Sequence, residues 1–328
     1  MAPAMPLSDR IRRRIKLQDL HVLMTVVKAG TMGKAAERLS ITQPAISKSI
    51  AELEHTLGVR LLHRHRRGVE PTEYGRALLD GGAAVFDDLH RAVASIEFLA
   101  DPTAGSVRIG CTPVLTGTFI SAVVDRFSRR YPRVVIEVAT MDTDVMGREL
   151  SERNVDFLVA RKFGPIVHDQ LDFEMLYDDS FVVVAGARNP LAHRRKMEFA
   201  DLAKEPWVLP RPTSALGLVL GEALRASGLD YQHTTVLTGH SELRANLLAS
   251  GRFLSILSNS ELRFSTARSE VKVLPVELPL ARVPVGIITL RNRTPIPVAQ
   301  LFIDCAREVA KPLAKRRTDP EAVMRGAG

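Results

Sequence analysis

Cysteine is nearly absent from this chain: its 328 residues include two, Cys111 and Cys305. Two isolated thiols make neither a disulfide framework nor a zinc site, and they suit a reducing cytoplasm. No uninterrupted apolar run of about 18 residues occurs, so no membrane span is expected. The start, Met1 to Ile15, has four arginines and no apolar stretch of signal-peptide length, so export is not expected either. A glycine-rich phosphate loop, a nucleophile elbow and an HExxH motif are all missing, which argues against an enzyme. His63 and His65 flank Arg64, but no acid or thiol is spaced to complete a metal site, and no cofactor is expected. Internal repeats of roughly 20–50 residues are lacking as well.

What is present is a balanced globular composition, 45% hydrophobic and 25% charged, over a length that suggests two or three domains. The net charge of +8 is unevenly placed: residues 1–71 hold 13 Lys and Arg against 6 Asp and Glu, a net of +7. The remaining 257 residues carry only +1. A basic head on a neutral body points to a polyanion partner for the head, or else to a solubilising surface.

Within the head, Leu17, Leu20, Leu23, Met24 and Val27 mark one face of a helix that Gly30 ends. Thr31 can cap a second helix, Met32 to Leu39. After a break at Ser40-Ile41, Thr42 can cap a third, with Gln43 and Pro44 in its first turn and Ile46, Ile50, Leu53 and Leu57 on its inner face. Small residues Ala35, Ala36 and Ala45 would let the two helices cross closely, and Ile41 would plug the turn. Residues 59–71 read as two short strands around a basic turn, Arg64 to Gly68. Thr72 then caps a long helix to about Ala100, whose stripe Leu79, Gly82, Phe86, Leu89, Val93, Ile96 and Ala100 alternates steps of three and four, the seam of a helix that pairs with another. Gly81 and Gly82 either allow close approach or weaken that seam. From Ser106 strand-like runs (106–111, 134–139, 155–160, 181–186, 234–238, 254–257, 284–290) alternate with helix-like runs (116–130, 143–152, 215–227, 241–250, 297–310), which argues for parallel sheets flanked by helices. The basic end, 311–328, is expected to be a mobile tail.

The head therefore has the pattern of a winged helix-turn-helix, although an ordinary three-helix core with a solvated face fits the same periodicity. Gln43 and Ser47 are four apart and point the same way. Glutamine can pair bidentately with adenine and serine can reach a base edge or a phosphate. Lys34 and Lys48 suit phosphates. Arg64 and Arg66 suit a narrow minor groove.

Residues 16–76 resemble the DNA-binding head of LysR-type transcriptional regulators. The stretches that carry the likeness are Leu20 to Gly30, Ala35 to Leu39, Thr42 to Ser47, Leu53-Glu54, Gly58 to Leu62, Arg64, and Pro71 to Gly75. The likeness continues to about residue 310. It implies an α/β protein with an N-terminal winged helix-turn-helix (16–71), a long linker and dimerisation helix (72–100), and a periplasmic-binding-protein-like effector domain (106–310) of two subdomains. These would span about 106–178 with 271–310, and about 180–270. It further implies a cytoplasmic dimer of dimers on promoter DNA, a small-molecule effector in the cleft, and RNA polymerase as a partner. Carried over by position, Gln43, Ser47 and Lys48 would face the major groove and Arg64 would enter the minor groove; Thr31, Lys34, Thr42, Pro44 and Arg66 complete the expected DNA contacts. The arginine-rich extension 1–15 and the Gly81-Gly82 pair depart from the family pattern.

In the body, ligands are expected at the carboxyl ends of strands and at helix starts. That selects Thr112, Pro113 and Val114 after strand 106–111, Arg161 after strand 155–160, Thr213 and Ser214 before helix 215–227, Ser241 at the next helix start, and Ser258 after strand 254–257. Each hydroxyl is equally suited to plain capping, and Arg161 to a surface position. Cys111 is a redox sensor or, more simply, a buried core thiol. Phe181 to Gly186 and Glu205 to Pro210 are similar to segments of regulators that answer sugars or aromatic acids such as protocatechuate, and Arg161 tilts the choice towards an anion. The competing reading is a solute-binding protein with a helical appendage.

Overall fold

The computed structural model describes residues 15–66, 68–164, 170–229, 231, 234–264 and 269–314. The extension 1–14 and residues 315–328 of the basic tail lie outside the described residues. The chain divides into two compact units, Met1–Ala92 and Val93–Gly328.

In the first unit, helix α1 (Leu17–Ala29) ends on Gly30 in the left-handed conformation, and α2 (Met32–Leu39) starts from the Thr31 hydroxyl, which accepts from the Lys34 amide at 3.2 Å. Ser40, at φ 55°, turns the chain into α3 (Gln43–Leu57). This is a strained choice for a residue with a Cβ, and it is what a sharp helix-turn-helix bend demands. Leu23, Val26, Ala35, Ile46 and Ile50 are fully buried together. Asp19 accepts from Ser49 at 2.7 Å and pins α1 to α3. Glu54 accepts from the amides of Leu61 and Leu62 and pins α3 to the wing, β1 (Leu62–His65) paired antiparallel with β2 (Gly68–Pro71). Gly68, at φ 146°, lies so close to the end of α1 that a Cβ would sit 2.4 Å from the Gly30 carbonyl oxygen.

Three expectations for the head need correction. Ile41 does not plug the turn but is 37% exposed, and Ala45 is exposed rather than between the helices. Arg64 lies within β1 rather than in the turn. Thr72 does cap the long helix α4 (Glu73–Ala100), accepting from the Gly75 amide at 3.0 Å. Gly82 faces Met24 and Leu20 of α1 and so permits close helix approach, whereas Gly81 faces open space.

In the second unit, Ala94 and Phe98 of α4 pack on the core of a first subdomain, built on the sheet β4-β3-β5-β12-β6. Its strands are β3 (Ala104–Cys111), β4 (Arg133–Thr140), β5 (Phe157–Arg161), β6 (Leu171–Asp179) and β12 (Val283–Leu290). Between β3 and β4 the chain runs through a turn of helix, α5 (Pro113–Leu115), a π-helical segment (Thr116–Ile120) and α6 (Ser121–Arg130). Helix α7 (Thr143–Ser151) and the C-terminal α11 (Pro297–Ala314) cover the sheet, and α11 reaches past Lys311, where the tail was expected to begin.

The second subdomain has the sheet β11-β7-β10-β8-β9: β7 (Phe181–Gly186), β8 (Trp207–Leu209), β9 (Thr234–Leu237), β10 (Leu254–Ser258) and β11 (Val271–Val273). Its helices are α8 (Ala215–Ala226), α9 (Ser241–Ala249) and the short α10 (Asn259–Phe264). Both sheets are mixed rather than parallel: β3 pairs parallel with β4 and β5, and β10 with β8, whereas β12 and β7 run antiparallel to their neighbours. The boundary at 271 also moves. Strand β11 pairs with β7, and Leu274 and Leu278 join the second core, so the chain returns to the first subdomain just before β12.

Candidate nucleic-acid interface and ligand cleft

The start of α3 presents a largely polar surface because its large apolar residues Ile46, Ile50 and Leu53 are committed inward. Ile46, Ile50 and Leu53 are buried, while Thr42, Gln43, Pro44 and Lys48 are exposed and Ser47 is half-buried. The Thr42 hydroxyl makes no capping bond, although its carbonyl accepts from Ala45 and Ile46. The expected cap is therefore one of backbone only, and the hydroxyl is left to an outside acceptor. The Thr31 hydroxyl, by contrast, accepts from the Lys34 amide of its own helix and keeps its proton to donate. Lys34 is exposed, and Lys48 makes only a loose 3.9 Å pair with Glu52 across solvent. Arg64 and Arg66 are exposed on the wing. Every candidate contact in the head other than Thr31 and Ser47 is thus exposed, on an element whose other face is locked.

In the body the parallel strands settle which ends face each other. The carboxyl ends of β3 and β5 lie at one edge of the first sheet, and those of β8, β9 and β10 at one edge of the second. Arg161 ends β5 and Ser258 ends β10, and the Arg161 Nη2 donates to Ser258 Oγ at 2.8 Å. The two carboxyl edges therefore meet at this point. Thr112 follows β3, Thr213 and Ser214 follow β8, and Ser241 follows β9, so all of them stand at these facing edges.

Their roles differ. Thr112 is half-buried and caps α5 without its hydroxyl; Pro113 is exposed, and the Val114 carbonyl accepts from Thr118 at 2.7 Å. Thr213 is exposed and Ser241 half-buried at the first residue of α9. Ser214 uses its hydroxyl as the N-cap of α8, accepting from Gly217 at 3.1 Å and donating to the Arg211 carbonyl at 2.7 Å. Arg161 and Ser258 are buried. Arg161 is 7% exposed and ion-paired with Asp179 at 2.8 Å, and Ser258 is 1% exposed. A free surface position for Arg161 is thus corrected to a buried joint between subdomains. Its Nε lacks an acceptor among the described residues.

Sequence reasoning missed Thr116 and Thr140. The Thr116 hydroxyl lies 3.0 Å from Cys111 Sγ and 3.3 Å from the Thr140 hydroxyl, at the same strand ends. The only sequence signal is the density of threonines after β3. Burial pushes the Cys111 thiol above its ordinary pKa, against the low-pKa, accessible thiol that a redox sensor needs. Two open surface concavities, of about 840 and 510 Å³, lie elsewhere and include none of the expected contacts. Among the described residues no helix is long and apolar enough to cross a membrane.

Comparison with known proteins agrees with this division. Residues 17–76 match the family of bacterial regulatory helix-turn-helix proteins, lysR family, and residues 100–311 match the LysR substrate binding domain. The transcriptional regulator PcaQ of Agrobacterium fabrum is 27% identical over 309 residues, 94% of this chain and 99% of its own length. GbpR of Azospirillum brasilense is 24% identical, covering 93% of this chain and 90% of that protein. Among solved structures, full-length OxyR from Pseudomonas aeruginosa shares the fold at TM-score 0.63 and 19% identity, covering 94% of this chain and 99% of that one. CbnR complexed with its target DNA does so at TM-score 0.60 and 20% identity, covering 90% and 100%. The match of the head disfavours a solute-binding protein with a helical appendage.

Proposed function

We propose a specific mode of action for this chain, which belongs to the LysR family of bacterial transcriptional regulators: a DNA-binding head under the control of an effector-binding body. The family is one of regulators rather than enzymes. The observation that carries the proposal is the solvent-facing start of α3, set against an inner face that is fully buried.

Gln43 and Ser47 read base edges in the major groove, with Thr42 and Pro44 at the phosphate beside them. Thr31, Lys34 and Lys48 hold backbone phosphates, and Arg64 and Arg66 enter the minor groove. The effector sits between the facing strand ends, against Thr112, Pro113, Val114, Thr213, Ser214 and Ser241, with Arg161 and Ser258 just behind. The amino ends of α8 and α9 favour a carboxylate or a hydroxyl-rich molecule, hence an aromatic acid or a sugar. The chain works in the cytoplasm as a dimer of dimers on promoter DNA. An effector that binds one subdomain angle better than another shifts the heads, the DNA bend and the access of RNA polymerase.

The backbone role of Lys48 has a distinct signature. Lys48→Ala is expected to weaken binding to all duplexes alike and to lower the slope of log K against log salt by about one unit. Anisotropy titrations at several salt concentrations measure this. An unchanged slope would remove Lys48 from the phosphate contacts.

A further inference from the structure

Helix α10 is six residues long, yet it touches both subdomains. It leaves β10 of the second subdomain, and its last residue, Phe264, packs into the core of the first. There it meets Phe119 edge-on, with ring centroids 6.1 Å apart. Phe119 lies in the π-helical segment that continues the Thr112–Val114 turn. Insertions of this kind interrupt a helix at the expense of its hydrogen bonding and are frequent at functional sites.

On its other side, Glu261 of α10 forms a buried ion pair with Arg244 of α9. Arg244 is one turn beyond Ser241. Between these contacts, Ser260 donates to Asp179 Oδ2 at 2.5 Å through its hydroxyl and to Oδ1 at 3.0 Å through its amide. Ser258 lies 3.1 Å from the Ser260 hydroxyl and accepts from the Glu261 amide at 3.2 Å. Asp179 and Ser258 both hold Arg161, whose guanidinium also stacks over Phe181 at 5.6 Å. Asp179 is the last residue of β6, two residues before the second subdomain begins at Phe181.

We infer that α10 is the coupling element of the body. A buried polar relay, Arg244–Glu261–Ser260–Asp179–Arg161, together with the Phe264–Phe119 contact, ties the position of α9 to the first subdomain. A displacement of α9 is passed on because neither ion pair can loosen without leaving a desolvated charge. The Arg161 end, with Nε lacking an acceptor, is where a second arrangement can form most readily. This rests on the proposed two-walled cleft for its purpose. The linkage itself needs no effector to be detected.

Hydrogen exchange followed by mass spectrometry on the full chain tests it. Glu261→Gln is expected to speed amide exchange about ten-fold in residues 157–162 and 116–120 of the first subdomain. Helix α7, also in that subdomain but packed in a different hydrophobic cluster from Phe264, should keep its wild-type rate. Arg244→Lys, which retains the charge and shortens the reach, should act in the same sense and serves if Glu261→Gln does not fold. Faster exchange confined to α9 and α10 would overturn the relay. A parallel rise in α7 would also overturn it, since that signals general destabilisation. If the relay held while aromatic acids and sugars failed to protect Thr112 or Ser241, the cleft assignment would fall and the linkage would stand.

Discussion

Ile96→Asp is expected to turn the full chain from a dimer, or a dimer of dimers, into a monomer at micromolar concentration. Helix α4 is held on one side: Ala94 and Phe98 pack on the first subdomain. On the other side Leu89, Val93, Ile96 and Leu99 are 45, 52, 67 and 82% exposed. A row of branched apolar side chains at steps of four and three is the seam a second helix covers. Covering what is still exposed contributes less than the roughly 1.5–3 kcal/mol of full burial at each, and four from each chain still supply a substantial part of a dimer's stability. A carboxylate at the centre removes one such contribution and must also be desolvated. Sedimentation equilibrium measures the outcome, and circular dichroism checks that the helix remains. An unchanged mass would place the subunit contact elsewhere.

Asp179→Asn is expected to lower stability by about 3–5 kcal/mol, because it leaves the Arg161 guanidinium buried without its counter-charge. Both side chains are at most 5% exposed, and Asp179 also accepts two bonds from Ser260. Exposed pairs offer a contrast. Arg291–Asp172, with side chains 53 and 55% exposed, contributes at most about 1 kcal/mol. Urea titration of the two variants, Asp179→Asn and Asp172→Asn, separates them. Equal midpoints would mean that water reaches the joint and that the pair is not desolvated.

The helix-turn-helix was legible because its buried stripe repeats at helical spacing and its caps stand where they should: Gly30 for α1, Thr31 for α2 and Thr72 for α4. Ile41 and Ala45 were misplaced for the same reason. Apolar or small residues at a helix start read as core, yet here they lie on the outward side beside Thr42. Strand β6 went unread because Asp172 and Glu174 break the apolar pattern of an edge strand, and β8 and β11 span only three residues each. Antiparallel pairing of β12 with β5 and β6 leaves no mark on local sequence, so an alternating order of strands and helices suggested parallel sheets. Arg161 and Ser258 were rightly noticed at strand ends. Their actual partners, Asp179 and each other, are 18 and 97 residues away and come from packing alone.

Base reading by α3 is the central property of the head. Selection of binding sites from a random duplex pool, run in parallel with the full-length chain and its Gln43→Ala variant, tests this most directly. The wild-type chain should enrich a two-fold symmetric motif with a fixed half-site spacing. Gln43→Ala should still bind DNA while losing preference at one base pair in each half-site, the equivalent of about 1–3 kcal/mol of discrimination. Recovery of the same motif with undiminished preference at every position would contradict the account.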